Sequence, residues 1–432
     1  VKTDPGRAVA EGESTDGTAR PGSRRPADPV AKAERRAGLA YCLKVFAAMR
    51  IGLTVIALVS VALLPDLSRL SPAVRQGLPA IPGPVDVPGW PAHAVSPGPH
   101  NLFTSWERFD ALWYLRIADS GYRDGDGSAA FFPLYPLVTR GVSTVIGGHP
   151  LAAGLLVSNA SFLAALMVLY LLTRAEFQDE DLARRTVLFT AVFPTALFFL
   201  APYSESMFLL LVLVALWGAR RSNWLVAAAA GFLAALTRNM GVLLTLPLLV
   251  EAVHQAVLAR PRRWPFPEVL AAAGPLAGLG VYLAFWRHLA GDWLAPLHQQ
   301  AFWERHLQNP ISTVGKGTHE AFRWIGIYPG GYHLLDWMVA VPVLAAAIYA
   351  VVKFRPSYSV YAWVSILIPL CYIFTGRPLM SFPRFALPIF PVFWAFGRWT
   401  GPSRARLELV VGASAALLGV MTLLFVNWYY VF

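Results

Sequence analysis

Eleven stretches of this sequence are runs rich in Leu, Val, Ala and Ile, most of them divided by short polar joints, and that recurrence constrains the fold more than anything else. They fall at about 42–64, 151–172, 187–203, 205–218, 223–236, 239–259, 268–289, 337–353, 358–375, 383–398 and 407–431. Several approach the roughly 20 apolar residues needed to cross a bilayer. Inside a bilayer every backbone polar group must be satisfied internally, which selects helices. Only 14% of the 432 residues are charged, against about a quarter in soluble domains. The reading is an all-α polytopic protein of the cell membrane with about eleven transmembrane helices.

The net charge of +11 falls largely in short clusters between the apolar runs, as topology signals do. It gives no reason to expect a nucleic-acid partner. Neither GxGxxG nor GxxxxGK[ST] is found, so a nucleotide-binding role has no support. Cys42 and Cys371 lie in apolar runs far apart and read as buried small hydrophobes.

Residues 1–38, rich in Arg, Gly, Ala and Pro and lacking aromatics, read as a disordered cytoplasmic tail. Residues 39–432 then form the membrane domain. Lys32, Arg35, Arg36 and Lys44 flank the first run, which acts as an uncleaved anchor with a cytoplasmic approach. Counting alternate sides puts Arg174/Arg184/Arg185, Arg220/Arg221, Arg260/Arg262/Arg263, Lys353/Arg355 and Arg398/Arg404/Arg406 together in cytoplasmic loops. A large first outer loop, 65–150, carries short interfacial helices and a proline-interrupted FFPLYPLV piece too poor to span, read as re-entrant. A second outer loop covers 290–336. The same count gathers the polar motifs ERFD, PYSES, TRN and GRPLMSFPR on the outer face, none of which set the topology.

Charge at a membrane is a functional-site hypothesis by default. Asp110, in WERFDALWYL, is read as a general base; as a helix 110–118 shares one stripe among Asp110, Trp113, Tyr114 and Ile117. Its structural alternative is a helix cap. Glu107 either acts with Asp110 or pairs with Arg108 or Arg116. Asp124-Gly-Asp126 looks like a metal-holding DxD but reads as a turn. Glu205 lies between two apolar runs and needs a partner, Arg238 being the candidate, in a structural or site-forming role. Arg238, Arg377 and Arg384 are read as phosphate-binding groups, since guanidinium forks donate two hydrogen bonds at once; the alternative is interfacial snorkelling. Trp106, Tyr203, Asn239 and His298 complete the substrate-binding candidates. The histidines show no metal-ligand spacing, so neither metal nor cofactor is expected.

At these residues the sequence resembles the PIG-V family of membrane mannosyltransferases, within the lipid-donor GT-C superfamily. The elements are FDALWYLRIADSGY (109–122), AAFFPLYP (129–136), APYSESMF (201–208), TRNMG (237–241) and SFPRFALPIF (381–390). Phe109 stands where the family usually has Trp, and TRNMG matches its element in part. The resemblance implies a GT-C-like fold and transfer of mannose from a polyprenyl-phosphate-mannose donor on the extracytoplasmic face. The Ala/Arg/Gly-rich composition looks bacterial, actinobacterial especially, so the expected acceptor is a lipid-linked glycan, a polysaccharide or a protein rather than a GPI precursor.

The residues point to the same chemistry. No extramembrane segment is long enough for a nucleotide-sugar domain, so the donor arrives within the bilayer. Arginines would hold its phosphate while Asp110 takes the acceptor proton, and direct displacement predicts inversion. The rivals are a lipid transporter or flippase, whose polar groups would spread through the membrane depth, and a lipid-donor transferase of another sugar.

Overall fold

The long apolar runs of the sequence fold as helices. The computed structural model describes residues 29–63, 98–259, 264–299, 305–327, 330–374, 376–429 and 431. Among the described residues six helices are long and apolar enough to cross a bilayer: Ala33–Leu63, Pro150–Phe177, Asn239–Leu258, Phe266–Ala290, Gly330–Lys353 and Arg404–Val426. The polytopic all-α class holds; the count of eleven does not follow from it.

The other five expected spans are shorter or broken, and proline explains part of this. The run 187–203 ends as a helix at Val192, just before Phe193-Pro194, and resumes only as a 3-10 turn at Ala196–Phe199. A residue preceding proline is pushed out of the helical region. Pro388 and Pro391 likewise divide 383–398 into Phe382–Phe385 and Phe390–Thr400. Glu205–Arg220, Trp224–Thr237 and Pro356–Cys371 have 16, 14 and 16 residues. At 1.5 Å per residue these reach roughly 21–24 Å, short of the ~30 Å hydrocarbon core.

The first helix begins at Pro29, inside the stretch expected to be disordered. Its opening residues, AKAERRA, are strong helix formers, and Glu34 meets Arg174 at 3.0 Å. The rest of the expected tail, and residues 64–97 of the first outer loop, lie outside the described residues. Leu134–Val145, holding most of FFPLYPLV, has 12 residues and is too short to cross alone.

The Asp110–Ser120 helix is enclosed rather than interfacial. Ala111, Leu112, Trp113, Tyr114, Leu115, Ile117 and Ala118 are all buried, so its apolar residues face protein around most of the helix. Two strands occur among the described residues, β1 (Arg305–Leu307) and β2 (Tyr372–Phe374), antiparallel with Arg305 opposite Phe374. Cys42 is buried and Cys371 half-buried, both as free thiols.

The bundle has two chemically distinct ends. At one, the described basic clusters meet carboxylates, a backbone carbonyl and an aromatic ring. Arg174 reaches Glu180 at 3.1 Å, Arg220 reaches Glu176 at 3.0 Å and Arg355 reaches Glu251 at 3.0 Å. Arg185 donates to the Gly397 carbonyl, and Arg398 stacks over Phe177. The Glu205–Arg220 helix runs from this end to the opposite one, where Asp110, Glu205, Arg238 and Arg384 lie.

Candidate active site

The polar end encloses a cavity of about 130 Å³ whose ionisable lining is Asp110, Tyr114, Arg238, Arg305, Tyr372 and Arg384. Phe131, Phe132, Ile368, Pro369 and Phe385 supply apolar wall, and Thr237, Asn239 and Ser381 neutral polar groups.

Asp110 owes its position to the residues before it. Phe109 has φ 53° and ψ −120°, a conformation that costs an L-residue about 1–3 kcal/mol and persists only where its surroundings over-determine it. Its ring lies 5.8 Å from that of Phe425 and 5.4 Å from that of Trp428. Arg108 donates through Nε to the Val426 carbonyl at 2.9 Å and covers the Trp428 ring, while Tyr203 donates to the Arg108 carbonyl at 2.9 Å. The kink so fixed starts a helix at Asp110. Asp110 is therefore the first helical residue and not the cap; the cap position is Phe109, whose side chain makes no capping bond. A carboxylate in the first turn still faces the positive end of the helix dipole.

The Asp110 carboxylate is half-engaged. Oδ2 accepts from Arg384 Nη1 at 2.5 Å. Among the described residues no hydrogen bond reaches Oδ1, and the side chain keeps 16% exposure toward the cavity. Behind it Glu205, fully buried, accepts through Oε1 from Arg384 Nε and also pairs with Arg238 Nη1, the mate anticipated for it. Arg238 Nη1 donates to Ser204 Oγ at 3.2 Å, and Ser204 Oγ bonds to Tyr114 Oη at 2.8 Å. Two carboxylates and two guanidinium groups thus form one charge-balanced quartet. Burial pushes the Tyr114 phenol up to about 12, so at neutral pH it is an uncharged hydrogen-bonding group and not a base.

The other candidates separate. Asn239 lines the cavity and is exposed. Tyr203 is buried behind it, its ring 4.7 Å from the Arg384 guanidinium. Trp106 is fully buried beneath Arg50, 5.0 Å away, and does not line the cavity. Glu107 is half-buried and also outside the lining, and Arg116 is taken by Asp126 at 2.5 Å. Asp126 accepts from the Ser128 amide at 2.8 Å between Gly125 and Gly127, both at positive φ, which makes DGDG a turn. His298 is exposed and bonded to Asp292 at 2.8 Å, away from the lining.

Arg377 lies apart from Arg238 and Arg384. Its Nε and Nη2 donate to the two oxygens of Asp336 at 2.5 and 2.7 Å, and it does not line the cavity. Asp336 is wholly buried, and a carboxylate there needs a bidentate cation. The third guanidinium of the cavity is instead Arg305, which sequence reasoning did not single out. Its only linear signal was a place in the second outer segment.

Residues 90–256 match the family model described as Mannosyltransferase (PIG-V). That stretch, less than half of the chain, is similar to the PIG-V mannosyltransferase family. The region contains Asp110, Glu205, Arg238 and Asn239; Arg305 and Arg384 lie beyond it. Two curated relatives are similar, both named GPI mannosyltransferase 2. The one from Drosophila pseudoobscura pseudoobscura is 32% identical over 109 residues, 23% of this chain and 24% of its own length. The one from Chaetomium globosum is 33% identical over 124 residues, 25% of this chain and 26% of its own. The matches thus cover about a quarter of those relatives. Among solved structures, an Archaeoglobus fulgidus oligosaccharyltransferase in complex with zinc and sulfate aligns with TM-score 0.40 and 12% identity, over 76% of this chain and 49% of that one. A second, in complex with an inhibitory peptide and a dolichol-phosphate, gives TM-score 0.39 and 12% identity over 90% and 56%.

Proposed function

We propose that the protein is a membrane mannosyltransferase that moves mannose from a polyprenyl-phosphate-mannose donor to a lipid-linked, polysaccharide or protein acceptor. The observation that carries this reading is the Asp110 carboxylate, which lines the cavity and is tethered through Oδ2 to Arg384, with no hydrogen bond to Oδ1 among the described residues. The family match supports the sugar and the reaction class.

The acceptor hydroxyl gives its proton to Asp110 Oδ1 as its oxygen forms a bond to the anomeric carbon. The bond from that carbon to the phosphate oxygen breaks, and the electron pair leaves with the polyprenyl phosphate. Attack opposite the leaving group inverts the anomeric centre. Arg384 holds Asp110 in one orientation, and Arg238 and Arg384 supply positive potential where the phosphate gains charge. Glu205 keeps these two arginines together. Glu107, Trp106, His298 and Arg377, outside the cavity lining, take no part in the chemical step.

The described basic clusters gather at the opposite end of the bundle (Arg260, Arg262 and Arg263 lie outside the described residues), and by the positive-inside rule that end is cytoplasmic. The cavity then opens on the extracytoplasmic side, and its polar groups are confined to one end rather than spread along a transport path. Membranes containing the protein are incubated with labelled polyprenyl-phosphate-mannose, and the labelled product is identified. Label is expected in a glycan, lipid or protein product, and Asp110→Asn should lower transfer by about 10²–10⁴-fold while the protein still elutes as a folded species. Near-normal transfer by the folded variant would remove Asp110 as base.

A further inference from the structure

We infer that Arg50, on the flank of the first helix, holds the phosphate group of a membrane lipid against the Trp106 ring. Two contacts set the depth of Arg50. Cys42 Sγ donates to the Leu166 carbonyl at 3.6 Å, and the Phe46 ring lies 6.2 Å from that of Phe162. One turn up the Pro29–Leu63 helix thus matches one turn back along Pro150–Phe177, and a further turn brings Arg50 level with Ser158. Ser158 stands eight residues, about 12 Å, inside that second helix. Arg50 itself lies well within Ala33–Leu63, a helix long and apolar enough to cross a bilayer, and not at its end.

A guanidinium at such depth is costly unless an anion meets it. Arg238 and Arg384 meet Glu205 and Asp110, and Arg377 meets Asp336. Arg50 meets no carboxylate among the described residues; its side chain covers the neutral Trp106 ring, 5.0 Å from the guanidinium carbon. Its Nη1 is buried without a hydrogen-bond partner, and so is Nε1 of that same Trp106. An aromatic face attracts a cation but leaves its charge and its in-plane N–H donors unanswered. The helix shows where the anion comes from. Met49, Leu53 and Ala57 form its buried face, and Ile51, Val55 and Val59 are exposed on the other. Arg50, half-buried, lies on the seam between the two. A lipid seated there lays its chain along Ile51, Val55 and Val59 and brings its phosphate to the guanidinium fork, which suits phosphate oxygens two at a time. Free phosphate gains nothing from that apolar wall.

The test uses the purified full chain in detergent. The probes are dioctanoyl phosphatidylglycerol, farnesyl phosphate, phosphate-free dioctanoylglycerol and inorganic phosphate. Binding is read by native mass spectrometry and by the rise in thermal midpoint on adding each probe. The parent should bind a phosphate lipid and bind dioctanoylglycerol at least tenfold more weakly. Arg50→Gln should weaken phosphate-lipid binding about 10–100-fold, the range for one charge-assisted hydrogen-bonding group. Arg50→Lys, which keeps the charge and loses the fork, should fall between, and it decides the matter if the glutamine variant does not fold. Whichever phosphate lipid depends more on Arg50 names the source, a phospholipid or an isoprenoid phosphate. Unchanged affinity in the folded variants would overturn the assignment, as would equal binding of dioctanoylglycerol or Arg50-dependent binding of inorganic phosphate alone. None of these readouts involves sugar transfer, so the site stands or falls independently of the reaction proposed above.

Discussion

Glu205 joins two guanidinium groups through a single oxygen; its other oxygen, Oε2, is buried with no hydrogen-bond partner among the described residues. Its worth lies in what removal would leave behind, namely two adjacent buried cations. Breaking one side of a buried pair typically costs about 3–5 kcal/mol. Glu205→Gln should therefore lower the thermal midpoint in detergent sharply, and Glu205→Asp, which keeps the charge, much less. Equal midpoints for the glutamine variant and the parent would show that the quartet contributes little to the fold. Asp110, at the cavity edge, carries far less of that burden, so its loss is expected in activity rather than in stability. The two carboxylates of one cluster thus divide the labour, and the division follows from exposure.

At the scale of elements, prolines and close backbone approaches decide what hydropathy alone leaves open. The Asn239–Leu244 3-10 segment folds back on the end of the Trp224–Thr237 helix, and a Cβ built on Gly241 would stand 2.2 Å from the Ala234 carbonyl oxygen. Backbone cannot yield there as a side-chain tip can. Gly241→Ala should cost about 1–3 kcal/mol and shift Arg238 and Asn239, seen as a lowered thermal midpoint with weakened donor binding. A midpoint equal to the parent's would show that this turn relaxes freely. The same contrast explains what the sequence made legible. The six long spans, the Asp110 stretch and the Glu205–Arg238 pairing follow from patterns within short windows or from the need to neutralise a buried acid. The Arg377–Asp336 pairing was not legible, because Asp336 sits just before the start of an apolar run and attracted no notice. Arg305 was missed because its position depends on β1 meeting β2, a pairing between distant residues that leaves no periodic trace. The strained turn at Phe109 was equally silent, since nothing in WERFD announces a positive φ.

Across the described residues, the candidate site occupies one end and basic loops the other, so orientation is open to direct measurement. With Cys42 and Cys371 replaced by alanine, a cysteine at Asn239, exposed in the cavity lining, should react with an impermeant maleimide in intact cells. One at Arg221, exposed at the far end, should react only after permeabilisation. The reverse pattern would place the cavity in the cytoplasm and end the proposal of an external donor site. The basic end has a second consequence. Arg174, Arg184, Arg220 and Arg355 are matched in the folded protein by Glu34, Glu180, Glu176 and Glu251. On the proposed orientation, charges that steer a nascent chain into the bilayer while they are still solvated are thereby cancelled once the helices dock. The same guanidinium groups serve twice in succession, first as signposts and then as mortar. A mutation of their acidic partners should loosen the assembled bundle without turning it over.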